Sequence, residues 1–107
     1  MASPKPPRWA QCVALAAALG TLPAHASMNL ALDKGCLSCH GTPPRGKAPT
    51  MAQLAADYAK HQGQEEQIQH LSSQLRERRL FGGVAAHERL SAEDAECFVR
   101  WLVGGGH

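Results

Sequence analysis

Apolar side chains recur at helical spacing through most of this chain, and almost no stretch alternates as a strand would. The clearest case follows Thr50, where Met51, Leu54, Ala55 and Tyr58 stand at positions i, i+3, i+4 and i+7. That spacing places the four side chains on one face of a helix. Since threonine is a favoured helix N-cap, the pattern predicts a helix that begins after Thr50 and turns this face inward.

Two neighbouring segments show weaker versions of the same pattern. A short first helix is predicted over residues 28–39, and a third over about 64–78, after a break at Gly63. The third carries its apolar residues on one side and its Glu and Arg residues on the other. That apolar side consists of Ile68, Leu71 and Leu75.

The last predicted helix begins at Ser91 and ends at the three glycines 104–106. Ser91 and Asp94 match the S-x-x-D form of a capping box, and glycine commonly follows a helix end. The buried stripe of this helix is predicted to be Ala95, Phe98, Val99 and Leu102. Residues 41–49, GTPPRGKAP, break helices and are predicted to form a loop. The fold class expected from these patterns is all-α, with about four short helices and connecting loops.

The N-terminus has the three parts of an export signal. Lys5 and Arg8 supply positive charge, residues 10–22 are mostly apolar, and Ala24-His25-Ala26 matches an A-x-A cleavage site. We therefore predict a signal peptide at residues 1–26, one domain at 27–107, and a periplasmic location. The apolar run falls short of the ~20 residues that span a bilayer, although retention as an anchor stays open.

Removal of the predicted signal peptide changes the length and the net charge of the chain that folds. Of 107 residues with a formal net charge of +2, removal of 26 leaves 81 residues that are formally neutral. A neutral chain without a basic stripe does not fit nucleic-acid binding. A domain of this size gains only a few kcal/mol from its core and commonly depends on a metal, cofactor or cross-link.

The candidate chemistry lies in Cys36-Leu37-Ser38-Cys39-His40. In an exported protein, C-x-x-C-H is the pattern of covalent haem c attachment, in which two thiols bond the porphyrin and the histidine binds the iron. A thiol–disulfide active site is one alternative, but it favours strands around the motif. A zinc site is another, but it needs a second pair of nearby ligands.

With this motif, the chain resembles the small bacterial monohaem class I cytochromes c. Residues 49–59, PTMAQLAADYA, are similar to the family's Pro-x-aromatic-x-x-Ile-Ala-x-x-Tyr helix. Residues 82–105, GGVAAHERLSAEDAECFVRWLVGG, are similar to its closing segment, where a loop supplies the distal iron ligand before the last helix. The resemblance covers essentially all of residues 27–107.

The resemblance implies a fold, a cofactor and a function. It implies one covalent haem c held by Cys36 and Cys39, His40 as proximal ligand, and Tyr58 and Trp101 packed around the haem pocket. It implies an electron carrier rather than an enzyme, with periplasmic or membrane-bound redox proteins as donor and acceptor. Phe98 and Trp101 are expected to pack the last helix against the first.

The chain departs from the family at the distal ligand. The family's loop usually supplies a methionine there, and this chain has His87 instead, with no methionine after Met51. We predict His40/His87 coordination and a lower reduction potential than methionine ligation gives. His61 is the rival ligand; Met51 is expected to fill the core, His70 to be solvated and His107 to be terminal.

Two further possibilities stay open at this point. The distal site could be open or labile, which would favour ligand binding, sensing or peroxide chemistry over electron transfer. The basic cluster of Arg76, Arg78 and Arg79 is expected to be a solvated face, with steering of an acidic partner or a haem propionate contact as the alternative.

Cys97 is the third cysteine of the predicted mature chain, beside the two of the motif. It lies about 200° from Ala95 on a helical wheel, so it should be at least partly exposed. We treat it as a free thiol in a monomer, and a dimer linked through Cys97 is the alternative.

Overall fold

The computed structural model describes residues 23–106, with side chains described from residue 28 onward. Its helices are α1 (Pro23–Asp33), α2 (Leu37–His40), α3 (Met51–Tyr58), a 3-10 turn (Ala59–His61), α4 (Glu65–Leu75), α5 (Ala85–Glu88) and α6 (Ala92–Val103). Residues 23–106 contain no β-strand, which confirms the all-α prediction.

Most of the predicted signal peptide, residues 1–26, lies outside the described residues. Its last four positions form the first turn of α1. Within residues 23–106, no helix combines the length and the apolar character that crossing a membrane requires.

The central helix is α6, which contacts α1, α3 and α4. The four residues of its predicted buried stripe, Ala95, Phe98, Val99 and Leu102, are each exposed by 7% or less. Trp101 is equally buried and packs with Phe98 against Ala31 of α1 and Ala55 of α3. The predicted packing of the last helix against the first is therefore confirmed.

The apolar side of α4 lies against the other flank of α6. Ile68 is buried with Val99 and Val103, and the partly buried Leu71 and Leu75 pack against them. A polar network outside this core joins the same two helices: Arg100 donates to Glu65, and Gln69 donates to the buried carboxylate of Glu96. Sequence patterning did not predict a buried glutamate here.

The helix predicted over residues 28–39 is in fact two helices separated by Gly35. Gly35 has φ +73°, and the N–H of Cys36 donates to the carbonyl of Ala31 over 3.0 Å. This is the Schellman pattern that ends a helix, and glycine adopts its left-handed conformation without steric penalty. The chain changes direction at this turn, and Cys36 is the first residue after it.

Helix α4 ends three residues earlier than predicted. After Leu75 the backbone leaves the helix, and two arginines of the following loop reach the segment around α5. The Arg76 side-chain Nε donates to the carbonyl of Leu90 over 2.8 Å, and the Arg79 N–H donates to the Glu88 carboxylate over 3.1 Å. These tertiary contacts replace the next turn of α4.

Cys97 is partly exposed, as predicted, but it is disulfide-bonded. The prediction of a free thiol at this position is therefore wrong. It rested on an odd count of cysteines in residues 27–107. Cys36 and Cys39 have free thiols.

Helix α3 begins with the predicted cap. The Thr50 hydroxyl accepts a hydrogen bond from the Gln53 N–H at 3.1 Å, and the Gln53 side chain accepts one from the Thr50 N–H at 2.8 Å. This reciprocal capping box satisfies two N–H groups that the first turn would otherwise leave without partners. It also fixes the chain direction immediately after Pro49.

We expect Thr50→Ala to lower the free energy of unfolding by about 1 kcal/mol, the usual effect of removing an N-cap hydroxyl. The measurement is a denaturant titration of the variant and the unsubstituted protein. Ser73→Ala, in an exposed position of α4, is the control and should change stability by less than about 0.5 kcal/mol. Equal effects of the two substitutions would contradict the capping role.

Candidate cofactor site

A cavity of about 430 Å³ opens between the helices, and its wall is mainly apolar. Helices α1, α3, α4 and α6 and the segment around α5 all contribute to it. The apolar wall includes Leu30, Leu54, Leu75, Leu90, Phe98 and Leu102. A cavity of this size falls in the range of small-molecule and cofactor sites.

All three chemical residues of the C-x-x-C-H motif line this cavity. The motif forms one helical turn, since the N–H of His40 donates to the Cys36 carbonyl over 2.9 Å. A spacing of three residues places Cys36 and Cys39 on the same side of that turn. Burial raises the pKa of the Cys36 thiol. The turn thus directs two free thiols and an imidazole into one cavity.

His40 is held in one tautomer by the loop that follows it. Its Nδ1 lies 2.6 Å from the carbonyl oxygen of Pro49. A carbonyl only accepts, so Nδ1 carries a proton, and in the neutral ring Nε2 keeps its free electron pair. Orientation of a ligating histidine by a carbonyl is a common support of metal sites. The capped start of α3 at Thr50 fixes the position of that carbonyl.

His87 enters the cavity from α5 and is half-buried. Its ring centroid lies 6.1 Å from that of His40, and the two ring planes differ by only 12°. Burial lowers the pKa of His87, and the nearby His40 lowers it further. A lowered pKa favours the neutral imidazole, which is the form that binds metals.

The segment around α5 is fastened to the preceding loop. The Glu88 carboxylate accepts a hydrogen bond from the N–H of Arg79. Gly83 lies beside this contact, and a Cβ atom on Gly83 would stand 2.7 Å from Glu88 Oε1 and 3.1 Å from the Arg79 carbonyl oxygen. A side chain at Gly83 would therefore have to displace the Glu88 carboxylate and would crowd the Arg79 carbonyl. Arg76 holds the other end of the segment at Leu90. These contacts position His87.

The two other predicted pocket residues, Tyr58 and Trp101, lie in different places in the structure. Tyr58 lines the cavity, and burial raises the pKa of its hydroxyl, with a further rise from Asp57. Trp101 is not among the cavity-lining residues. It packs with Phe98 in the core, and its indole N–H has no hydrogen-bond partner among the described residues.

None of the rival ligand candidates that the structure describes faces the cavity. His61 stacks edge-on with Tyr58 but is not a lining residue, and Met51 packs against the core as predicted. His70 is exposed on α4, also as predicted. His107 lies outside the described residues.

Sequence reasoning missed several residues of the site. Pro49 supplies the carbonyl that orients His40, Lys34 and Arg45 bring positive charge to the cavity wall, and Glu88 fastens α5. The one available signal was the position of Pro49 directly before the helix cap.

No family model, curated protein or solved structure matches this chain.

Proposed function

We propose that this chain is a periplasmic electron carrier of the class I cytochrome c type, with one covalent haem c. The observation that carries the proposal is the pair of nearly parallel imidazole rings, His40 and His87, whose centroids lie 6.1 Å apart in an apolar cavity beside two free thiols. Its fold is proposed to be a small cytochrome c fold. Its partners are proposed to be periplasmic or membrane-bound redox proteins.

The separation of the two rings fits a single metal atom between them. Imidazole nitrogens bind first-row metals at about 2 Å, and the ring centre lies about 1 Å behind the nitrogen. Two ligands on opposite sides of one metal therefore place their ring centres about 6 Å apart. The 6.1 Å between His40 and His87 agrees with this value.

The number of protein ligands also fits haem better than a bare metal ion. Among the described residues, no group of three or more His, Cys, Asp or Glu side chains converges as a metal-binding cluster. Haem iron needs only two axial protein ligands, because the porphyrin supplies the other four. His40 and His87 are two such ligands.

The thiol–disulfide alternative is not favoured by the environment of the motif. Reactive thiols of that class have a lowered pKa, whereas burial raises the pKa of Cys36. The fold around the motif is helical within residues 23–106, while that class favours adjacent strands. Cys36 and Cys39 are therefore assigned to thioether attachment.

Each residue has a defined task in the proposed carrier. Bound haem supplies a one-electron iron couple. Cys36 and Cys39 fix the cofactor covalently, and the Pro49 carbonyl keeps the Nε2 of His40 available. His87 would supply the second protein ligand to the iron, so no side chain would have to be gained or lost as a ligand when the charge changes. The apolar wall limits water and thereby tunes the reduction potential.

We expect the exported protein, matured in a host that attaches haem c, to stay coloured after denaturation and extraction with acidified organic solvent. The polypeptide mass should exceed the mass of residues 27–107 by one haem. Ser38→Ala is the matched control, because it changes the motif without touching a ligand, and it should keep the haem. Complete extraction of the colour, or a colourless protein, would refute the proposal.

A further inference from the structure

The loop that follows α4 exposes the two most solvent-accessible large apolar side chains of the described residues. Leu80 is 97% exposed and Phe81 91% exposed. Val84, three residues further on, is 46% exposed and also lines the cavity. The exposed apolar side chains of the loop are therefore followed, three residues on, by one at the edge of the cavity that His87 also lines.

Four arginines lie in the same segment, namely Arg76, Arg78, Arg79 and Arg89, and all four are exposed. Residues 76–90 contain only two carboxylates to oppose them, Glu77 and Glu88. Within the described residues, none of the four has a carboxylate within ion-pairing distance of its side chain. Glu88 instead accepts from a backbone N–H.

We propose that Leu80, Phe81 and Val84 with these four arginines, here called the distal patch, form the docking surface for an acidic redox protein whose own contact region has an apolar centre. The inference rests on the proposed electron-transfer function and adds the chemistry of the partner. Arginine and aromatic residues are enriched in protein interfaces, and complementary charge steers encounter and fixes orientation. Contact at Val84 brings the partner to the cavity edge.

Charge also decides between a foreign partner and a second copy of this chain. Two distal patches face to face would bring arginines against arginines, and like charges across an interface disfavour association. An acidic surface instead neutralises arginines that have no carboxylate ion-pair partner within residues 23–106. The distal patch is therefore assigned to a complementary protein.

The test uses haem-loaded protein and gold surfaces coated with mixed carboxylate- and methyl-terminated alkanethiols, which imitate an acidic partner with an apolar component. Adsorbed mass is measured by surface plasmon resonance over a range of salt concentrations. Arg78→Glu should weaken adsorption at low salt by at least about tenfold, within the usual range of electrostatic steering. Lys60→Glu, an exposed position outside the patch, makes the same change of net charge and should have an effect of less than about twofold.

The apolar part of the distal patch is tested by Phe81→Ser. This variant should lose the extra adsorption that methyl groups confer, and should equal the unsubstituted protein on surfaces that carry carboxylates alone. Its optical spectrum should stay unchanged.

Four results would overturn the proposal. Equal losses in Arg78→Glu and Lys60→Glu would show a general charge effect. A changed haem spectrum in Phe81→Ser would place that ring on the cofactor, and a dimer in sedimentation that Phe81→Ser dissociates would make the patch a self-contact. Stronger adsorption to amine-terminated than to carboxylate-terminated surfaces would reverse the partner's charge. A missing covalent haem is a separate result, because it refutes the proposed function while adsorption can still be measured.

Discussion

Substitution of His87 by alanine should convert the haem-loaded protein from a six-coordinate low-spin form to a high-spin form that binds carbon monoxide. The reason is local. Within residues 23–106, no other histidine or methionine lines the cavity opposite His40, so no described side chain can take the vacant position. The measurement is the optical spectrum of the ferric and ferrous protein, with and without carbon monoxide.

The size of the effect follows from competition for one coordination position. If His87 occupies that position in about 99% of molecules, an external ligand binds about a hundredfold more weakly than it does to an open site. His87→Ala removes the competitor, so affinity for carbon monoxide should rise by about that factor. His70→Ala is the control, because His70 is exposed on α4 and should leave the spectrum unchanged.

A methionine at the same position tests the electronic consequence. His87→Met should keep the haem six-coordinate and raise the reduction potential by on the order of 100 mV, a fraction of the roughly 0.8 V range that axial ligands set. A high-spin unsubstituted protein that already binds carbon monoxide would contradict ligation by His87. Ligand binding or peroxide chemistry would then be the better proposal.

The helices with a regular apolar face could be predicted from the sequence. The turns that set the directions of those helices could not. Thr50, Ser91 and the stripe of α6 follow from spacing and capping chemistry, because those signals are local. The break at Gly35 was missed, since a glycine within an otherwise helical segment does not reveal whether the chain turns there. That break is what sets the motif apart from α1.

The end of α4 and the start of α5 depend on contacts between distant parts of the chain. Arg76 and Arg79 fit a helix by propensity, but their contacts with Leu90 and Glu88 draw the backbone away after Leu75. Propensity is a weak guide where tertiary contacts compete with it. The four-residue helix that carries His87 was therefore not predicted, although His87 itself was.

Some residues of the candidate site could be predicted from the sequence, and others could not. Covalent chemistry singled out the motif, and the resemblance singled out His87 and Tyr58, both of which line the cavity. Trp101 packs against Ala31 and Ala55 and does not itself line the cavity, so its expected place beside a haem stays a prediction. Pro49 was missed because it acts through a backbone carbonyl, which no side-chain pattern encodes.

Loss of both thiols should unfold the domain as well as release the cofactor. An apolar cavity of about 430 Å³ is far larger than the voids of ordinary cores, and without a cofactor its apolar wall would stay in contact with water, which is unfavourable. A domain of about this size has only a few kcal/mol of core stability to set against that. We therefore expect the helices around the cavity to need a cofactor as part of their core.

We expect Cys36→Ala/Cys39→Ala, produced in the same maturing host, to carry no covalent haem and to lose cooperative unfolding. Circular dichroism should show reduced helix content and a broad thermal transition, whereas the haem-loaded protein should unfold in one sharp step. Each single variant should keep one thioether and an intermediate stability, because one bond still holds the haem in the cavity. Ser38→Ala is again the control for the motif. A double variant that unfolds cooperatively with full helix content would show that the cavity is stable without a cofactor, and would remove the structural argument for haem as part of this fold.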